Sequence, residues 1–475
     1  MPTLTGGINT ALSAILTNTH AMQVVNQNVA NVNTPGYRRQ MAMFRTAIPT
    51  DVQSDMYETL PGQIGNGVMI ESIQRYSTNM LDNRYRAASG DKFSWQARQS
   101  VMSQMEGIFS PLDDSGLPAQ MDQFWAAWGQ LANNPTDMTV RHELLGQADT
   151  LAKTFNTQYN RLTQLRFDQN TGVTDQVSAV NTAAAQVAEL NGEIARVFAM
   201  GEFPNSLMDQ RDVLLDQLAE SVGAVSYLQK DGTALVSVGG HALVTNRTAF
   251  ELQTSQITDP TSPNVGMIQV QWSDGRALES SSGTLSGTLA ARDEVIPAQM
   301  TWLNTLAAQL VDSVNTLHQG GFALDGTTTG QDFFAPLTAG SEAAKIQVST
   351  TLTAEGIAAS QSGEPGDNVI ADQIFDLKFA ENVFAGSDNT FNKFLNNQIS
   401  FFAADLNRAN SKVDHSDLIV QALATQRASE SGVSLDEEAA SLAKYERAYQ
   451  AAGRLMTAFD QMLDTIINSM GLVGR

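Results

Sequence analysis

The chain carries two long stripes of apolar residues, one at each end. In the closing stretch, Leu442, Tyr445, Tyr449, Ala452, Met456, Phe459, Leu463, Ile466 and Met470 follow at alternating spacings of three and four. A repeat of about 3.5 places all of them on one side of a helix, the pattern of a coiled-coil seam. Ala448, Leu455 and Met462 widen the stripe on one flank, which predicts more than one neighbour for this helix. Near the start, Ile8, Leu12, Ile15, Met22 and Val29 keep heptad spacing, with Thr19 and Asn26 as polar members. Thr34-Pro35-Gly36-Tyr37 then stops the helix. Pro35 disfavours the α region at Thr34, and Gly36 supplies the positive φ of a type II turn. The economical packing pairs the first helix with the last and leaves the middle as an inserted body.

The middle is helical for most of its length. Residues 38–75 read as extended, with Gly65 and Gly67 beside the apolar Val68-Met69-Ile70. Helical periodicity covers 77–109, 121–132, 137–200, 207–222, 285–317 and 391–431. The 137–200 segment is expected as one helix or two in line, broken near Asn170-Thr171-Gly172, and 285–317 carries Pro297 as a candidate kink. Between 224 and 272 the pattern shortens to strand-like runs at 225–228, 234–238, 242–244 and 267–270. Asp231-Gly232, Gly239-Gly240 and Asp274-Gly275 mark the tight turns of hairpins. The predicted fold class is mainly α with a small β unit. The expected units are a coiled-coil-like terminal domain (1–34 plus 434–475), a long-helix body (35–205 plus 286–433), and a helix with a small antiparallel β subdomain (206–285).

Composition narrows the chemistry. A net charge of −22 with only 16% charged residues argues against nucleic acid or an anionic membrane as partner, since both are held by Lys and Arg. The chain has no cysteine, which excludes disulfides, thiol nucleophiles and thiolate metal sites. It has no apolar run of about 18 residues to span a membrane. The opening Met1-Pro2-Thr3-Leu4-Thr5-Gly6-Gly7 lacks the basic start and apolar core of a secretory signal, so export would use another route. His20, His142, His241, His318 and His415 are too scattered for a metal site, and neither a phosphate-binding loop nor a nucleophile elbow is present. The sequence Asp325-Gly326-Thr327-Thr328-Thr329-Gly330 lacks the later ligands of a calcium loop and reads as a turn. Asp436, Glu437 and Glu438 are the acidic cluster to weigh for acid–base chemistry. Ser434 and Glu437 fit a capping box, and carboxylates suit the first turn of a helix. The expectation is therefore no enzyme, no metal and no cofactor.

Two motifs then carry a resemblance. Asn28-Val29-Ala30-Asn31-Val32-Asn33-Thr34-Pro35-Gly36-Tyr37-Arg38-Arg39-Gln40 resembles the amino-terminal signature of the bacterial flagellar rod, hook and hook-associated protein family, with Asn26-Gln27 where Ser-Asn usually stands. The stretch from Ser431 through Asp436-Glu437-Glu438-Ala439-Ala440 to Tyr445-Glu446-Arg447-Ala448-Tyr449-Gln450-Ala451 is similar to the carboxyl-terminal signature of its hook-associated branch. Gly65-Asn66-Gly67-Val68, Leu131-Ala132-Asn133-Asn134-Pro135, the run from Asn205 to Asp212, and Asn315-Thr316-Leu317-His318 extend the likeness along the chain. Many members carry a large outer domain after the region of Asp332-Phe333-Phe334, where only about sixty residues precede the next helix here.

The resemblance implies a structural adaptor at the junction of hook and filament, exported through the flagellar type III apparatus and assembled with itself as a ring. Implied partners are hook protein, a second junction protein, the flagellin side of the filament, and an export chaperone on the last helix. Implied site residues are Asn28, Ala30, Asn31, Asn33, Thr34, Pro35, Gly36 and Tyr37 at the amino end. At the carboxyl end they are the stripe from Leu442 to Ile466, entered through Ser434 and Glu437. A rod or hook subunit of the same axial structure is the alternative reading, and a secreted hydrolase a more distant one.

Overall fold

The computed structural model describes residues 2–47, 65–109, 116–384 and 388–469. Met470 of the closing stripe and residues 48–64 of the segment read as extended lie outside these residues. A first helix, α1 (Pro2–Ala30), leads through a turn to a two-stranded antiparallel ribbon of β1 (Gln40–Thr46) and β2 (Val68–Arg75), bulged between Met43 and Phe44. Four helices follow: α2 (Asn79–Phe109), α3 (Leu117–Asn133), α4 (Met138–Ala199) and α5 (Asn205–Val222).

The β unit comes next. Strands β3 (Val225–Leu228), β4 (Ala234–Val238), β5 (His241–Thr245) and β6 (Thr248–Ala249) form one antiparallel meander, and β7 (Leu252–Gln256) with β8 (Ile268–Trp272) forms a separate pair. Gly239 and Gly240 both have positive φ, 56° and 81°, as the tight β4–β5 connection requires. The chain closes with α6 (Gly283–Ala290), α7 (Ile296–Gln319), the short α8 (Glu342–Lys345) and α9 (Val369–Asp376), and the long α10 (Phe391–Ser431) and α11 (Leu435–Asp464). The architecture is mainly α with small antiparallel sheets.

Of the two readings open for 137–200 the single helix holds, and the candidate kink at Pro297 is displaced. The 137–200 segment does not break: α4 is continuous over 62 residues, about 93 Å at 1.5 Å per residue. A glycine inside a helix costs only about 1 kcal/mol, and Asn170 is held from both sides. Its Oδ1 accepts from the Ile268 amide (2.8 Å) and from Arg292 Nη1 (2.9 Å). At Pro297 the irregularity lies just upstream, as a single π turn over Ala291–Val295 between α6 and α7. Arg292 sits in that turn, almost fully buried, and donates to the Ile268 carbonyl as well as to Asn170.

Two large cores hang on α4. The first packs its early half (Leu144, Leu151, Phe155) against α3, α7 and the start of α10, around Phe124, Trp125 and Trp128. The second packs its later half (Val180, Val187) against α5, α6 and the β strands. Asn side chains of α4 dock the strand backbones. Asn181 exchanges two bonds with Leu252, and Asn191 bonds both the amide and the carbonyl of Ala234.

His318 shows how closely the first core is built. It is fully buried, Nδ1 lies 2.7 Å from the Gln331 carbonyl, and Nε2 lies 2.9 Å from the Ala358 amide. A carbonyl only accepts and an amide only donates, so the proton is on Nδ1. Burial pushes this imidazole down to about 4. Asp325 forms a turn, its carboxylate accepting from the Thr327 and Thr328 amides at 2.9 and 2.8 Å.

Candidate functional site

The two sequence motifs meet at one place, where the terminal helices join the body. The joint is built on Asn28, one of the few buried polar residues of α1. Its Oδ1 accepts from the Gln40 amide and from the Tyr37 hydroxyl, both at 2.9 Å. Its Nδ2 donates to the Gln40 carbonyl (2.9 Å) and to Glu438 Oε2 (3.0 Å). One amide group thus binds the end of α1, the start of β1 and the first turn of α11. Tyr37 is pushed up to about 12 by burial, with Asp209 and Glu438 adding to it, so its hydroxyl keeps its proton as a donor.

The turn between α1 and β1 has the expected chemistry. The Tyr37 amide donates to the Thr34 carbonyl (3.1 Å), and Gly36 has φ +80°. Gly36 is also pressed against the Val213 side chain of α5, which leaves no room for a Cβ. Thr34 Oγ1 donates to Asn31 Oδ1 at 3.1 Å, and Asn31 caps the Gln27 carbonyl at 2.9 Å. Ala30, Asn33 and Pro35 are exposed. Together with Gln186, Leu190 and Gln210 of α4 and α5, Asn31, Thr34, Pro35 and Tyr37 line an open groove of about 690 Å³.

On the carboxyl side, Ser434 occupies the N-cap of α11, its Oγ 3.5 Å from the Glu437 amide. The other half of the expected capping box is not made. The Glu437 carboxylate turns instead to Arg39 Nη1, and Glu438, fully buried, accepts from Arg39 Nε at 2.7 Å. Arg39 further donates its amide to the Ser431 carbonyl (2.9 Å), and its guanidinium lies over the Tyr76 ring. The acidic cluster is thus a fastening between chain ends rather than only a cap. Sequence reasoning stopped at the local explanation for Glu438.

Behind the joint lies a buried ionic network that sequence reasoning missed. Arg38 grips Asp82 of α2 with two bonds of 2.8 Å. Arg75 at the end of β2 reaches Asp209 (2.8 Å) and Asp212 (2.7 Å) of α5. Arg86 meets Asp216 (2.7 Å), and Arg427 of α10 bridges Asp82 (2.8 Å) and Asp216 (2.7 Å). Burial opposes the charge on Asp212, but Arg75, Arg38 and Arg86 together hold its carboxyl at about 2. Asp209 is pushed up by burial, which its bonds to Arg75 and Arg38 only partly offset. The one available signal was spacing. Asp209, Asp212 and Asp216 recur three and four apart on α5, which puts them on one face.

From the joint outward, α1 and α11 pack along each other. The stripe is only half-buried: among its described residues Ala452 alone is buried, Leu442, Tyr445, Met456, Phe459, Leu463 and Ile466 are intermediate, and Tyr449 is 41% exposed. Gly7 lets the Phe459 ring lie directly on the α1 backbone. On α1 the face turned to the ribbon is the better covered, with Ala21 and Val24 packed on Ala42, Ile70, Ile73 and Tyr445. Leu12, Leu16 and Val29 are left facing out. Among the described residues no group of acidic or histidine side chains forms a metal site, and no helix is long and apolar enough to cross a membrane.

Comparison with known proteins bears on both halves of this arrangement. Residues 424–470, holding the end of α10, the joint and α11, match the model of the carboxyl-terminal region of flagellar basal body rod FlgEFG proteins. Residues 102–334 match the helical-domain model of the flagellar hook-associated protein FlgK. The class is therefore that of the flagellar axial proteins. Flagellar hook-associated protein 1 of Bacillus subtilis (strain 168) is 28% identical over 503 residues, covering 99% of both chains. Its namesake in Escherichia coli (strain K12) is 30% identical over 340 residues, covering 69% of this chain and 59% of the relative. A solved structure, the flagellar hook junction protein FlgK from Burkholderia pseudomallei, is 26% identical. It covers 54% of this chain and 46% of its own, with a TM-score of 0.48. The chain belongs to the FlgK family of flagellar hook-associated proteins.

Proposed function

We propose that the protein is a non-enzymatic structural adaptor that joins the hook to the filament, assembling as a ring at the distal hook end through α1 and α11. The observation that carries this reading is the half-covered terminal pair. It is fastened at its base by Asn28, Arg39 and Glu438, and its apolar stripe has one partner where it needs more. The name of the relatives in Bacillus subtilis and Escherichia coli, flagellar hook-associated protein 1, supports the same position.

On this reading, residues 1–34 with 434–475 form the assembly unit, 35–205 with 286–433 the body, and 206–285 a subdomain. The motif around Asn28–Tyr37 sets the angle of the pair, and the Leu442–Ile466 stripe meets neighbouring copies. Hook protein lies on one side, a second junction protein and flagellin on the other. Before assembly, the same stripe on α11 is read by an export chaperone, because an amphipathic helix suits a groove as well as a bundle, and the chain leaves the cell through the flagellar type III apparatus.

The test is a chain lacking residues 434–475, expressed in place of the full one. Intact hooks without attached filaments, and flagellin shed into the medium, are expected. Truncated protein found on hook ends with filaments attached would overturn the reading.

A further inference from the structure

Charge on the terminal pair is carried by one helix and sorted on it. α1 has no Asp, Glu, Lys or Arg anywhere along its length. On α11, Glu437 and Glu438 are engaged at the joint. Beyond the first turn six charges remain: Lys444, Arg447 and Arg454, and Glu446, Asp460 and Asp464. All six are exposed, and none forms an ion pair among the described residues.

Their positions are not mixed. At 3.6 residues per turn the three cations fall roughly 150° to one side of the seam and the three carboxylates roughly 90° to the other. No carboxylate stands three or four residues from a cation on this stretch, so the usual pairing along a helix surface is absent. The cationic flank also carries Leu455 and Met462, 56% and 49% exposed, beside a shallow groove lined by Ala458, Gln461, Thr465 and Ile466.

We infer that neighbouring copies pack side by side through α11, the basic flank of one against the acidic flank of the next. Because α1 lies along the seam, a two-fold contact would have to be made through one flank, and would set like flank against like flank and repel. A head-to-tail contact sets opposite charges together and repeats around a closed assembly. This deepens, and rests on, the reading of the terminal helices as the assembly element.

The test uses full-length chains and two charge-reversed variants, one with Lys444→Glu, Arg447→Glu and Arg454→Glu, the other with Glu446→Lys, Asp460→Lys and Asp464→Lys. Incorporation onto isolated hook ends is counted by immunogold electron microscopy, and circular dichroism checks that each variant folds. Each variant alone should incorporate about tenfold less than the unmodified chain, since both of its flanks now carry one sign. An equal mixture should recover at least half of the original incorporation by alternating. Variants that incorporate normally, or a mixture no better than its components, would overturn the charge pairing. Incorporation by a chain lacking residues 434–475 would instead overturn the role of the terminal helices themselves, and the charge pairing with it.

Discussion

The body and the terminal pair use similar helices to different ends. In the body, Phe124, Trp125, Trp128, Leu144 and Phe155 are wholly buried in a core fed by several helices and a long irregular segment. In α11 only Glu438 and Ala452 are buried, although the helix is as long and as regular. A helix draws most of its stability from packing rather than from propensity. The apolar residues of the body are therefore covered within the chain, whereas much of the apolar stripe of α11 is left half-covered.

The largest expected contrast comes from truncating one aromatic in each region. Trp128→Ala should cost about 3–5 kcal/mol in urea unfolding followed by circular dichroism. Phe459→Ala should cost less than about 1 kcal/mol in the isolated chain and yet abolish incorporation on hook ends. Equal losses of stability would erase the distinction between the regions.

Acid titration should separate them next. A buried imidazole with a folded value near 4 stabilises fully above its unfolded value of about 6.5 and loses that contribution as pH falls toward 4. This amounts to roughly 3 kcal/mol. Asp212 is depressed to about 2, so its contribution is intact above an unfolded value of 3.8 and is lost only as pH falls through about 2. The core around His318 should thus weaken between pH 6.5 and 4 while Asp212 keeps its charge. Melting temperatures against pH should show this limb, and His318→Gln should remove it. A limb that survives the substitution would place its origin elsewhere.

The smallest effect is the most local. Asn28→Ala removes four hydrogen bonds and leaves Glu438 with Arg39 alone. A cost of about 1–3 kcal/mol should appear as faster amide exchange along α11, with exchange in α3 and α7 unchanged. Unaltered protection of α11 would remove Asn28 from its place at the joint.

Periodicity made the long helices and the terminal stripes legible, because both express a local spacing. The glycine pair at Gly239-Gly240 made the β4–β5 hairpin legible for the same reason. Strand β7 escaped, since only Leu252 of its residues is buried and no alternation marks the rest. Whether α4 runs unbroken stayed open because Gly172 speaks of a local penalty, and the two cores that outweigh it are assembled from distant segments. The ionic network was illegible for a stronger reason. Arg38, Asp82, Asp212 and Arg427 become neighbours only once the chain has returned to its starting point. Glu437 shows the competition directly. Its local partner, the N-cap, lost to Arg39, which is 398 positions away in the chain.

The continuity of α4 has a mechanical meaning. Its early half is set in one core and its later half in the other, with Arg292 and Asn170 fastening the region between them. No loop interrupts the path from one core to the other. Twist or compression applied at the β-bearing end passes through an unbroken hydrogen-bonded rod to the end that holds Trp125 and Trp128, so the body answers torque as one stiff member.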